Sequence, residues 1–302
     1  MSATYPDWTV EGRDWPNRAA SAFVRSDGYD WHVQDMRRDA PVCLLIHGTG
    51  AATHSWRDLM PILARDWHVI AMDLPGHGFT RTASARPVSL PGMAGAIGSL
   101  LQTLEVTPDL IVGHSAGAAI GAEFVLQRDG DTPLVGLNPA LLPFPGPAAR
   151  LFPQLAKLMF VNPFASRIFA RMLRNPGEVE RFLRRATGSR IDRAGRRHYQ
   201  ALLGRAGHCD GALRMMAGWD LEALQAALPG LRANVLLLHG EEDRAIPRSA
   251  VRRAADLIPS ADMRALSGLG HLAHEEAPDQ VAEIIAHFAA APDAANTTGE
   301  TA

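Results

Sequence analysis

The chain holds only two cysteines in 302 residues, Cys43 inside the apolar run VCLLI and Cys209 far away in what reads as a polar turn. Two lone cysteines supply neither a disulfide framework nor metal-ligand spacing, so both are read as reduced packing residues. An excess of one charge is also missing: 30 Lys and Arg against 32 Asp and Glu leave a formal net charge of −2 at pH 7. That balance argues against a nucleic-acid partner, whose phosphates call for a basic face. No apolar run approaches the roughly 18 residues of a membrane span, and no charged-then-apolar leader opens the chain, so a cytoplasmic location is expected. No internal repeat is found. A glycine-rich nucleotide loop is wanting as well, because Gly48-Thr49-Gly50 is followed by Thr53 where the third glycine of G-x-G-x-x-G should stand. Nothing in the sequence calls for a cofactor or a metal.

What the chain does have is apolar content, 47% of its residues, enough for a large core. Strand signals fall at Ala22–Arg25, Tyr29–Gln34, Val42–Ile46, His68–Met72, Leu110–Val112, Leu134–Leu137, Val235–Leu238 and Met263–Leu266. The later ones are short continuous apolar runs of the kind buried on both faces, whereas the first two alternate around Asp27-Gly28 and predict a hairpin. Helical patterns lie between them, clearest in Leu90, Met93, Ile97, Leu100, Leu101 and Leu104. Such alternation predicts an α/β architecture, a mostly parallel eight-stranded sheet with helices on both faces. From 141 to 230 no strand is evident while apolar residues recur at helical spacing, which predicts a helical cap inserted into a core made of 1–140 and 231–290. Residues 291–302 are expected to be disordered. The predicted cap carries 14 Lys and Arg against 6 Asp and Glu, a net of +8. Either its arginines form a solvated face, or they rim an apolar chamber built from Phe144, Phe152, Phe160, Phe164, Phe169, Met172, Met215, Met216 and Trp219.

The chemistry centres on Gly113-His114-Ser115-Ala116-Gly117, where an apolar strand stops at a serine between two glycines and a helix begins. The spacing G-x-S-x-G suits a turn so tight that it pushes the hydroxyl out of the structure, although a plain small-residue turn would look the same. A serine hydroxyl is a poor nucleophile until a histidine removes its proton and a carboxylate holds that histidine's other nitrogen. His271 follows the last strand. The acid must come from Glu241-Glu242-Asp243, just past a buried strand, where open α/β sheets place their sites. Backbone N–H groups of Thr49 and Ala116 are the expected oxyanion donors. His47, Gly48, His114, Phe144 and Trp219 are expected to border the substrate. Asp73, in DLPGHG, is read as shaping a loop near the pocket, and His274-Glu275-Glu276 as a capped helix start in preference to a metal cluster.

The set HGTG, DLPGHG, GHSAG, GEEDRAIP and GLGHLAHEEAPD resembles the α/β-hydrolase superfamily over nearly the whole span 22–290. The serine at 115 separates it from the haloalkane dehalogenases and epoxide hydrolases, which carry aspartate there. Family position then favours Asp243 over its neighbours as the acid. Longer stretches, among them WPNRAASAFV, HGTGAATHSWRDLMPILA, SLPGMA and LNPALLPFPG, are similar to the magnesium-chelatase accessory proteins of bacteriochlorophyll synthesis. That resemblance implies a place in tetrapyrrole metabolism, with magnesium chelatase as a partner, but no particular reaction. Three readings follow: a serine hydrolase acting on an apolar, acid-bearing acyl substrate such as a tetrapyrrole, a non-catalytic porphyrin-binding or chelatase-binding accessory, and a carbon–carbon bond hydrolase. The basic cap would equally suit peripheral contact with an anionic membrane.

Overall fold

Apolar runs with no alternation become the central strands nearly residue for residue. In the computed structural model, which describes residues 4–82, 89–143 and 165–290, the strands are β1 (Ser21–Ser26), β2 (Tyr29–Met36), β3 (Val42–Ile46), β4 (His68–Met72), β5 (Arg81–Thr82), β6 (Leu110–His114), β7 (Leu134–Leu137), β8 (Val235–Gly240) and β9 (Ala261–Leu266). They form one sheet in the order β1-β2-β4-β3-β6-β7-β8-β9, with β5 pairing the start of β2. The block from β4 to β9 is parallel, while β1, β2 and β5 pair antiparallel. The sheet thus has nine strands where eight are expected. The extra one is two polar residues long, too short and too hydrophilic to leave a periodic signal. As predicted, β1 and β2 are a hairpin, closed by Asp27 and Gly28 at φ of 46° and 73°.

Alternate residues of each central strand feed opposite faces. Leu44 and Ile46 of β3 join a cluster with helices α2 (Leu90–Leu104), α3 (Ala116–Leu126) and α9 (Arg248–Leu257). Cys43 and Leu45 join the other face, with α1 (Leu59–Leu63) and α11 (Pro278–Ala290). Helix α2 starts where Ser89 accepts a hydrogen bond from the Gly92 N–H (3.2 Å), and it buries the apolar stripe seen in the sequence. Parallel register sets the C-terminal ends of β3, β6, β7, β8 and β9 along one edge, the edge from which the candidate residues project.

Between β7 and β8 the described chain is helical: α4 (Ala165–Met172), α5 (Pro176–Thr187), α6 (Arg193–Leu203), α7 (Ala206–Gly218) and α8 (Leu221–Ala227). Leu173, Val179, Leu183, Ile191, Tyr199 and Leu203 make a small core of their own, which seats on Ala51 and Leu272 beside the candidate site. Cys209 lies buried within α7, not in a polar turn; its neighbours in sequence are polar, but the helix turns that residue inward. Both cysteines are free. Phe144, Phe152, Phe160, Phe164 and the segment 291–302 fall outside the described residues. Among the described residues no helix is long and apolar enough to cross a membrane.

Candidate active site

Ser115 sits at φ 51° and ψ −114°, a strained backbone for a residue with a side chain, between the end of β6 and the first turn of α3. The flanking glycines explain why the turn can close. A Cβ at Gly113 would come within 2.5 Å of Ala118 Cα, and one at Gly117 would overlap the Ile46 carbonyl oxygen. The turn is then fixed by its own backbone: the Ser115 N–H donates to the Leu137 carbonyl (2.9 Å), and its carbonyl accepts from Ala118 and Ala140 (both 3.1 Å). The loop after β3 presses against it, since a Cβ at Gly48 would lie 3.1 Å from Ser115 Cβ and 2.8 Å from His114 Nδ1. The backbone N–H groups of Thr49 and Ala116 have no acceptor among the described residues, which leaves both free to donate.

Of the three adjacent acids, Asp243 is the one that reaches histidine. Its Oδ2 accepts from His271 Nδ1 at 2.8 Å and from Asn138 Nδ2 at 2.7 Å, while Oδ1 accepts from the N–H groups of Ala245 (2.7 Å) and Ile246 (3.0 Å). Glu241 and Glu242 point away on the exposed side of the loop. Burial works to raise the Asp243 carboxyl, yet the bonds from His271, Ile246 and Asn138 outweigh it and hold the group below its ordinary value. Asn138, itself at φ 47°, is a residue that sequence reasoning passes over. The signal available was its place at the end of β7, next to the strands that deliver Ser115 and Asp243.

His114 joins the two halves. Its Nε2–H donates to the His271 carbonyl at 2.9 Å, the two rings lie 4.8 Å apart, and burial pushes its pKa well below the usual histidine range. It braces the loop of His271, where the sequence reading expects it to border the substrate. Ser115 Oγ makes no hydrogen bond among the described residues, His271 Nε2 included. Such contacts are commonly long without substrate and tighten in the reacting complex.

Of the residues expected to border the substrate, His47 joins His114 in the scaffold. His47 is fully buried, and both ring nitrogens are spent on backbone: Nδ1–H donates to Gly48 O (2.8 Å) and Nε2 accepts from Leu74 N–H (2.9 Å). Gly48 is buried behind Ser115, Trp219 packs partly buried against the main core, and Phe144 lies outside the described residues. Asp73 shapes its loop as expected, accepting from Thr53 N–H, Phe79 N–H (both 2.8 Å) and His32 Nδ1 (2.9 Å). Burial would raise its carboxyl, but those partners hold it far below the usual range. The trio His274, Glu275 and Glu276 does not cap its own short helix α10 (Ala273–Glu276); the side chains tie the loop that carries His271 to its surroundings instead. His274 donates to Ser55 (2.8 Å), Glu275 accepts from Tyr199 (2.6 Å), Ser55 (2.7 Å) and Arg57, and Glu276 accepts from the N–H groups of Gly270 and Arg190 (both 2.8 Å). Arg184 of α5, Arg196 of α6 and Arg190 between them line a cavity of about 390 Å³ with Leu183, Ile191, Ser189 and Glu180. Ser115 does not line it.

Comparison with known proteins places the chain in a group. Over 276 residues, 90% of this chain and 95% of the relative, the sequence is 41% identical to the magnesium-chelatase 30 kDa subunit of Rhodobacter capsulatus. It is 29% identical to the 2-hydroxymuconate semialdehyde hydrolase of Pseudomonas sp. strain CF600, over 83% of this chain and 88% of that protein. Among solved structures, the enol-lactonase of Burkholderia xenovorans superposes with a TM-score of 0.73 at 18% identity, covering 88% of this chain and 99% of that one. The model of the alpha/beta hydrolase family matches residues 43–284, and the chain belongs to that family.

Proposed function

We propose that the protein is a serine hydrolase that cleaves an ester, thioester or activated acyl bond, with Ser115 as nucleophile, His271 as base and Asp243 as the acid that orients it. The observation that carries this reading is the Asp243–His271 pair, 2.8 Å apart at the sheet edge where Ser115 is held in its strained turn. His271 Nδ1 is engaged with the carboxylate, so Nε2 is the nitrogen left to take the Ser115 proton. As Oγ bonds to the acyl carbon, the carbonyl oxygen becomes an oxyanion between the N–H groups of Thr49 and Ala116, each worth roughly 3 kcal/mol in such sites. His271 then hands its proton to the leaving group, and a water deprotonated by the same imidazole releases the acid.

For the substrate we propose an apolar molecule bearing carboxylates, with a tetrapyrrole as the leading class. The similarity to a chelatase subunit supports this, as do Arg184, Arg190 and Arg196 around a cavity that Leu183 and Ile191 also line. Apolar area would supply most of the affinity and guanidinium groups the orientation. A second reading, favoured by the name of that same relative, is an accessory of magnesium chelatase in which hydrolysis plays no part.

Two experiments separate the readings. A fluorophosphonate should label the purified protein, and Ser115→Ala should abolish labelling while circular dichroism stays unchanged. In cells, a deletion strain complemented by Ser115→Ala should still accumulate the precursor that the wild-type gene clears. Full complementation by Ser115→Ala would leave the accessory role. Porphyrin carboxylates should quench tryptophan fluorescence in a salt-dependent manner that weakens in Arg184→Gln and Arg190→Gln; binding to anionic vesicles without porphyrin binding would assign those arginines to a membrane surface.

A further inference from the structure

We infer that the turn Thr187-Gly188-Ser189, at the C-terminal end of α5, is a wedge that sets the spacing of the Asp243 and His271 loops, and that Gly188 and Ser189 are positioning residues for the reaction. The inference rests on the reading of Asp243 and His271 as acid and base. The turn belongs to the helical segment between β7 and β8, which the sequence presents as a cap. Its contacts, however, are with the two loops that carry the chemistry.

The Thr187 carbonyl accepts from the His271 N–H at 2.9 Å and from the Arg244 N–H at 3.4 Å, so one oxygen ties the base to the residue after the acid. Ser189 Oγ accepts from the Leu272 N–H at 2.8 Å, one residue beyond the base. Thr187 Oγ1 closes the turn by accepting from the Ser189 N–H (3.1 Å) and anchors it to α5 by donating to the Leu183 carbonyl (2.6 Å). Fit is as tight as bonding. Gly188 lies at φ 75°, and a Cβ there would overlap the Glu242 carbonyl oxygen. On the other side a Cβ at Gly270 would collide with Ser189 Oγ and N. The acid and base loops meet behind the wedge, where the Glu242 N–H donates to Leu269 O at 2.9 Å. This end of the helical segment therefore cannot swing outward without stripping hydrogen bonds from His271 and Leu272. Any opening toward substrate has to occur elsewhere in the segment, and the end of α5 works as part of the catalytic frame.

The test uses Gly188→Ala, which drives a methyl group toward the acid loop, and the pair Ser189→Ala and Ser189→Thr. Rates of fluorophosphonate labelling and the far-downfield proton resonance of the Asp243–His271 hydrogen bond are measured beside the melting temperature. A displacement near 1 Å in such a site costs on the order of 10²-fold. We expect about that loss of labelling rate in Gly188→Ala, about tenfold in Ser189→Ala, recovery in Ser189→Thr, and loss or shift of the resonance in Gly188→Ala. Should Gly188→Ala fail to fold, the serine pair decides. Lowered melting temperatures with unchanged labelling and an unchanged resonance would overturn the inference. If the wild-type protein itself is not labelled, the hydrolase reading fails, and the resonance alone still judges whether the wedge positions the pair.

Discussion

If Asp243 orients His271 as the proposed base, replacing it by asparagine separates that orientation from the stability of the site. The carboxylate accepts four hydrogen bonds, two backbone N–H groups at Oδ1 and the side chains of His271 and Asn138 at Oδ2. An amide has one oxygen. If that oxygen keeps Ala245 and Ile246, its NH₂ group faces two donors, and the surroundings must yield. They can do so cheaply. Asn138 can turn its buried Oδ1, which has no partner among the described residues, toward the new donor, and His271 can shift its proton from Nδ1 to Nε2. Every group is then paired, so stability should fall by less than about 1 kcal/mol. His271, the proposed base, would however now point a proton at Ser115 instead of a lone pair. Triads of this kind lose about 10⁴-fold from the change, which is roughly 5 kcal/mol of transition-state stabilisation. Initial rates on a p-nitrophenyl ester, with urea unfolding of the same samples, make the comparison. Near-normal turnover in Asp243→Asn, or a severe loss in Glu241→Gln or Glu242→Gln, would refute the reasoning.

Asn138→Ala should lower kcat about tenfold with KM unchanged, because it removes a bond to the acid and touches no substrate; a change confined to KM in steady-state kinetics would contradict this. Arg57, paired with Asp58, Asp192 and the fully buried Glu275, should be costly to remove alone. Arg57→Met is expected to destabilise by about 3–5 kcal/mol in chemical denaturation, and adding Glu275→Leu should recover much of that loss. Burial lowers His208 from 6.5 to about 4, and its Nδ1 accepts from the Gly78 N–H (3.0 Å), a bond that protonation would break. The unfolded chain therefore binds the proton more readily, and stability should be full above pH 6.5 and decline as pH falls toward 4. Unfolding followed across that range should show a loss on the order of 3 kcal/mol that His208→Gln removes.

The sequence made the central strands and the nucleophile turn readable because both are local. A strand buried on two faces must be apolar throughout, and Ser115 needs glycine at positions 113 and 117, so each leaves a mark within five residues. The acid was narrowed to three neighbours. Choosing among them required the family pattern, since nothing local tells which carboxylate turns inward. Asn138 and the wedge at Thr187–Ser189 left no trace of this kind. Asn138 meets Asp243 across 105 residues and Ser189 meets Leu272 across 83, contacts that exist only after β6 to β9 have aligned their ends. The scaffold role of His47 was hidden for the same reason, because its Nε2 is committed to the Leu74 N–H on the loop after the neighbouring strand.

Twelve histidines raise a question that the fold answers: how, in the proposed hydrolase, one imidazole can serve as base among so many. His47, His114, His208 and His274 lie within the same belt of loops, and burial lowers the pKa of each. Hydrogen-bond partners also fix where their protons sit, as when His208 accepts from Gly78 and donates to the Gly50 carbonyl. None of them can therefore compete for the Ser115 proton near neutral pH. Their neutrality matters for a second reason. The proposed reaction would place a positive charge on His271, whose ring is 4.8 Å from that of His114. A charged His114 would oppose it by on the order of 3 kcal/mol at an effective dielectric of about 20, enough to slow the step roughly a hundredfold. A neutral His114 whose Nε2–H is committed to the His271 carbonyl supports that loop without this repulsion. The same burial that makes these side chains useless as bases thus lets the imidazolium form beside them.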